Sequence, residues 1–196
     1  MKYIPSLILI LITIGLASCQ KENTIDKFGI FRVEEGGTSA LIDGGSIKSR
    51  TLKDFEKMLE TYPNINTINF QYCPGSKDDA TNVLVGKAIY NKHIDTHLLD
   101  GGDIASGAVD LFLAGRTRTI GQAPKIGVHA WGGNGLDAAS LAEDDPEHEL
   151  YIDYFKAIGF SDQAAKDFYF FTIRAAPAED IYWMTEEEIE RFQLER

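Results

Sequence analysis

The sequence predicts a mixed α/β domain with a largely parallel sheet and a helical C-terminal part. Three observations carry this expectation. Segments that alternate apolar and polar residues take turns with segments whose apolar residues recur every three or four positions. Glycine-rich junctions follow three of the strand-like segments, "CPGS", "GGDIASGA" and "VHAWGGNG". From Asp144 onward the chain is rich in helix formers and aromatics. Strands separated by helices require crossover connections, which make neighbouring strands parallel. With 196 residues, 44% of them hydrophobic and 25% charged, the chain suits one core.

Taken in order, the first segment is "MKYIPSLILILITIGLASCQKEN", with Lys2, an apolar run to Leu16 and a small-residue tetrad ending at Cys19. Residues 1–18 read as a secretory signal whose apolar core is too short to span a bilayer comfortably. Residues 19–36, ending in "VEEGG", read as a polar tether, and 37–196 as the domain. "TSALID" (38–43) predicts a strand. "TLKDFEKMLETYP" (51–63) predicts a helix with a stripe of Leu52, Phe55, Met58 and Leu59, stopped by Pro63 and Asn64. "INTINFQYC" (65–73) predicts a second strand, and the segment that follows runs through a tight turn into a helix. "IDTHLL" is a third strand, "SGAVDLFLAG" a short apolar helix and "PKIGVHAW" a fourth strand. "HELYIDYFKAIGF" and "DQAAKDFYFFTIRAA" predict helices, and "MTEEEIERFQL" a last helix capped by threonine.

The tetrad Leu16-Ala17-Ser18-Cys19 resembles the lipobox of bacterial lipoproteins. That resemblance implies a lipid-modified Cys19 as the first residue of the mature chain, and attachment to a membrane through lipid. The compartment implied is the bacterial cell envelope, and the polar residues Gln20 to Glu22 suit the outer membrane. With Cys19 carrying lipid, Cys73 is the one thiol left and an intramolecular disulfide is excluded. Nineteen basic against thirty acidic residues give a net charge of −11, which repels a phosphate backbone, so nucleic acid is not an expected partner.

Chemistry concentrates at the three glycine junctions. Serine becomes a nucleophile only when a base takes its proton and donors stabilise the oxyanion. Ser106 stands where a helix begins, among free N–H groups, and Gly107 lets the backbone approach a substrate closely. His129, at a strand end among apolar residues, is the candidate base. The "PGS" turn at 74–76 is the candidate second oxyanion donor. Each residue also has a plain reading: Ser106 as a helix N-cap, His129 as a buried histidine bonded to backbone, Cys73 as a small buried residue.

The series "INFQYCPGS", "LLDGGDIASGAVDLFLAG", "PKIGVHAWGG" and "YWMTEEEIERFQL" resembles the Clp-type serine peptidases of the ClpP/crotonase superfamily, over roughly residues 38–194. The resemblance implies a ClpP/crotonase-like spiral of β-β-α units. It implies Ser106 as nucleophile, His129 as base, and the N–H groups of Gly75, Ser76 and Gly107 around the oxyanion. The family's turn has glycine where this chain has Ser76. The family's triad acid falls near Pro177, inside "AAPAED", so Asp180 is the nearest choice for that role and Glu179 its neighbour. The function implied is a lipid-anchored extracytoplasmic serine hydrolase, an ATP-independent peptidase acting on a peptide or other acyl bond with no cofactor. The alternative is a catalytically inactive binding or assembly protein that keeps the fold. The acyl-CoA chemistry of crotonases is a third reading, disfavoured by a signal that removes the chain from the cytoplasm. Trimers or rings are common in the superfamily, so a homo-oligomer is one expectation, and the aromatic run "FYFF" (168–171) reads as packing, in the core or at a subunit interface. His93 and His97 share a face without a third ligand, and His148, among acidic residues, reads as part of a solvated surface. No metal is called for.

Overall fold

The structure is a computed structural model that describes residues 24–133 and 136–196. The signal segment and Cys19 lie outside the described residues. Residues 24–34, expected to be tether, instead form two strands of the main sheet, β1 (Thr24–Phe28) and β2 (Phe31–Glu34). The reason is visible in the alternation: Phe31 and Val33 are wholly buried, with polar Arg32 between them and Glu34 after them. The folded unit therefore begins well before Gly37.

The next strand is β3 (Ser39–Asp43), antiparallel to β2 and parallel to the strand that follows the first helix. That helix, α1 (Thr51–Thr61), buries Phe55 and Met58 from the predicted stripe, and Phe55 packs on Phe31 with ring centroids 5.5 Å apart. Strand β4 (Thr67–Cys73) leads through the 74–76 turn to α2 (Asp79–Asn91), capped by Asp78, whose carboxylate accepts the N–H of Thr81 at 2.9 Å. Strand β5 runs from Asp95 to Ala105, well past the predicted "IDTHLL". The two glycines at 101 and 102 looked like a terminus. They form an irregularity instead, and the strand resumes pairing with β4 at Asp103 and Ile104.

Helix α3 (Gly107–Leu113) follows directly, then β6 (Arg118–Ile120) and β7 (Lys125–Val128). A small hairpin, β8 (Gly132–Gly133) and β9 (Leu136–Asp137), leaves the end of β7. Helices α4 (Glu149–Ala157) and α5 (Asp162–Ala175) come next. Strand β10 (Tyr182–Trp183) and helix α6 (Glu186–Arg191) close the chain; Thr185 and Glu188 make a reciprocal capping box at the start of α6. The sheet order is β1-β2-β3-β4-β5-β7-β10, with β6 beside the first half of β5. The four ladders joining β3, β4, β5, β6 and β7 are parallel, as expected from the helical crossovers. Their carboxyl ends, followed by α2 and α3, are where such sheets present ligand sites.

The aromatic run lies mostly inside the chain. Phe168 and Tyr169 are buried, and Phe168 meets Phe155 edge-to-face at 5.2 Å; Phe170 and Phe171 remain half-buried. Its two deepest rings therefore serve the protein's own core, because α4 packs on α2 while α5 packs on α4 and β7.

Candidate active site

The centre of the site is the passage from β5 into α3. Ser106 sits there with φ 54° and ψ −134°, a left-handed backbone that a non-glycine residue adopts at a cost of about 1–3 kcal/mol. It occupies the N-cap position of α3, yet its hydroxyl makes no capping hydrogen bond. The plain capping role is thus removed. The turn is held from outside: the Ser106 N–H donates to the carbonyl of Gly127 at 2.9 Å, tying β5 to β7 at this point.

The 74–76 turn lies against it. Gly75 has φ +113°, and a Cβ there would come 2.7 Å from Ser106 Cβ and 2.8 Å from the Ala105 carbonyl, so only glycine fits. The Ile47 N–H donates to the Gly75 carbonyl, and the Lys77 N–H donates to the Ile47 carbonyl. Ile47 thus makes a parallel bridge to Ser76. Strand alternation then directs the N–H of Ser76 the other way, toward the side of β5. The Ser76 hydroxyl is taken up by Asp79, to which it donates at 2.7 Å. Gly107 closes the arrangement, since a Cβ there would lie 2.8 Å from both Ser76 Cβ and Asn82 Nδ2. Its N–H is at the first turn of α3, where no intrahelical acceptor exists.

His129 follows β7 and shares one cavity with Ser106 and Gly107. Its neighbour is anchored, the Ala130 N–H donating to the Ala176 carbonyl at 2.8 Å. The Nδ1 of His129 is buried and has no hydrogen-bond partner among the described residues. Asp180 does not fill that place: it is exposed, its Oδ1 accepts the N–H of Ile181 at 2.8 Å, and its own N–H closes a turn onto the Pro177 carbonyl. The local turn after Pro177 satisfies this carboxylate within its own loop. Glu179 is likewise exposed.

Sequence reasoning passed over the far wall of the cavity. Asp110 lies one helical turn after Ser106 on α3, a helix whose seven residues are all buried. Its carboxylate accepts from Asn82 Nδ2 at 2.9 Å. Burial, and then the charge of Asp79, push its pKa up to about 7, against the lowering effect of the Asn82 bond. The single acid in "GAVDLFL" was the available signal. Aromatic side chains complete the wall: Trp131, Tyr151, Phe155, Phe168 and Tyr169.

His148 is corrected as well. It is 1% exposed, with Nδ1 2.7 Å from the Tyr169 hydroxyl and Nε2 2.9 Å from the Ala142 carbonyl. Because Trp131 Nε1 also donates to Tyr169, the arrangement that satisfies every group has Tyr169 donating to Nδ1 and His148 donating through Nε2. This knot fixes Trp131 at the cavity mouth. Cys73 is buried, and burial raises its pKa to about 11, so it is an inert thiol, in line with the plain reading. His97 is bonded to Thr119 at 2.6 Å. Among the described residues no cluster of three or more metal-binding side chains occurs.

The fold so described, a mostly parallel sheet with helices after each crossover and a helical C-terminal part, is of the ClpP/crotonase-like kind. ClpP1 from Listeria monocytogenes, in two structures, superposes with TM-scores of 0.55 and 0.54 at 15% and 16% identity, covering 81% of this chain and 89% of that one. A protein from Streptomyces avermitilis assigned as an enoyl-CoA hydratase matches with a TM-score of 0.50 and 10% identity, over 87% of this chain and 67% of its own. At these identities the likeness concerns the fold. No family model and no curated protein matches the sequence.

Proposed function

We propose that this chain is a serine hydrolase, a peptidase that works without ATP, anchored in the bacterial cell envelope through a lipid on Cys19. The observation that carries the catalytic part is Ser106: a strained left-handed serine at a strand-to-helix turn, its hydroxyl unused as a cap, facing a cavity shared with His129. Backbone strain of this kind persists only where the surroundings enforce it, and it collects at reactive residues. Peptide-bond chemistry is favoured over hydratase chemistry on CoA thioesters because those thioesters are cytoplasmic and the signal ending at Cys19 takes the chain out of that compartment.

In this reading Ser106 Oγ attacks the substrate carbonyl while His129 takes its proton. The N–H groups of Gly107 and of the 75–76 turn hold the oxyanion. His129 returns the proton to the leaving amine, and water then cleaves the acyl-enzyme by the reverse route. No hydrogen bond joins Ser106 and His129 in the structure; contacts of this type commonly tighten only when substrate is bound. His129 works here without Asp180, its orientation set by the anchored 129–131 segment and by a water at Nδ1.

The test is covalent labelling of the mature protein by a fluorophosphonate. Wild type is expected to label, and Ser106→Ala and His129→Ala to lose about a thousandfold or more of the rate. Unchanged labelling in either variant, or none in wild type across the pH range, overturns the proposal and leaves a binding or assembly protein on the same fold.

A further inference from the structure

Neither the peptidase reading nor the fold likeness gives any role to the buried carboxyl beside the nucleophile. Asp110 is on the same short helix as Ser106, one turn further, and both line the same cavity. The cavity is partly open and offers about 40 Å³ of space. On that measure one water needs about 10–15 Å³, so the cavity takes a head group of a few heavy atoms and no bulky side chain. One acceptor faces the cavity at this end of the site, the Asp110 carboxyl, with Asn82 standing behind it and not lining the space. Asp110 receives a single hydrogen bond, from Asn82 Nδ2, and the other atom of that amide, Asn82 Oδ1, is buried with no donor among the described residues. Asn82 itself is 0% exposed. The Asp110 carboxylate keeps acceptor capacity beyond that one bond, and a donor on a ligand in the cavity can use it.

Resting on the hydrolase reading, we propose that Asp110 is a specificity-determining residue that selects substrates carrying an ammonium group close to the scissile acyl carbon. The chemistry is that of a small, multiply donating cation. An ammonium brings N–H donors and a positive charge to a cavity lined by a single carboxyl, that of Asp110. The remaining wall is aromatic, with Trp131, Tyr151, Phe155, Phe168 and Tyr169, and aromatic rings attract cations over their faces while giving apolar contact to a short stem. A carboxylate ligand is refused by Asp110, and an apolar group leaves the remaining acceptor capacity of its carboxyl unused. The raised pKa of Asp110, about 7, also suits this role: near neutrality the acid loses its proton at little cost when a cation arrives. Tyr151, pushed far above its ordinary value by burial and by the charges of Asp110 and Asp79, stays a neutral hydroxyl beside it. Two sources present such a group, the side chain of lysine and the free amino terminus of a peptide.

Calorimetric titration of the full chain separates these sources and does not depend on turnover. The three ligands are Nα-acetyl-lysinamide, glycinamide and Nα-acetyl-norleucinamide: a side-chain ammonium, an α-ammonium, and the lysine-like stem without charge. At least one ammonium ligand is expected to bind tenfold or more tightly than the norleucine amide, with proton release to the buffer near pH 7. Whichever of the two does so names the source. Asp110→Asn keeps the shape of the carboxyl and is expected to fold, and it should abolish both the tenfold advantage and the proton release. Equal binding of all three ligands, no binding of either ammonium ligand, or an advantage that survives in Asp110→Asn overturns the assignment. Loss of fluorophosphonate labelling with the ammonium preference intact would instead sink only the hydrolase reading.

Discussion

Asp110 also sets a pH dependence that can be read in stability. Its carboxyl titrates near 3.8 when exposed and at about 7 in the fold, with burial as the main cause. Between those values the folded chain keeps a proton that the unfolded chain has lost. The associated stability is therefore full below pH 4 and falls as pH rises toward 7, by an amount of order a few kcal/mol. Urea midpoints of wild type and Asp110→Asn, compared from pH 4 to 8, should converge in slope everywhere except this window, where wild type alone declines. An identical decline in both would place the carboxyl in contact with water. At this scale the sequence was a mixed guide. Ser106, Gly75, Gly107 and the burial of Cys73 could be read from motif order and from the habits of free cysteine. His148 could not, because Tyr169 and the Ala142 carbonyl that bury it are supplied by the tertiary fold rather than by its acidic neighbours.

At the level of elements, the junction of β5 with α3 depends on the 74–76 turn pressed against it. Gly75→Ala would put a methyl group 2.7 Å from Ser106 Cβ at a φ of +113°, so either the turn or the serine must move. The expected cost is about 1–3 kcal/mol in chemical denaturation, with a fall in fluorophosphonate labelling. Gly101→Ala is the control, with φ +64° and nothing within 4 Å of the added carbon. It should cost only about 1 kcal/mol and leave labelling alone. Equal loss of labelling in both would mean that the turn does not support Ser106. Periodicity identified α1, whose stripe buries Phe55 and Met58, while turn chemistry marked α2 and helix-forming composition marked α4 and α5. It misplaced the end of β5, since a pair of glycines can end a strand or bulge it, and only the register with β4 and β7 tells which.

For the whole molecule, the β1–β2 hairpin completes the sheet edge rather than trailing from it. A chain starting at Gly37 loses Phe31 and Val33, each worth about 1.5–3 kcal/mol of burial, and uncovers Phe55 on α1. Thermal unfolding should show a clear drop in midpoint, or no cooperative transition, against a chain starting at Lys21; equal midpoints would return these residues to a tether. The sequence by itself determined the alternation of strands and helices, hence the parallel sheet, and the chain order of turn, serine and histidine around its carboxyl ends. These are local properties, written in spacing and in turn chemistry. Only the tertiary structure decided that Ser106 is a strained elbow and not a cap, that Asp180 turns into its own loop, and that Asp110 shares the cavity with the serine. Each of those depends on contacts between segments far apart in the chain, where burial and mutual exclusion act and where no pattern along the sequence records them.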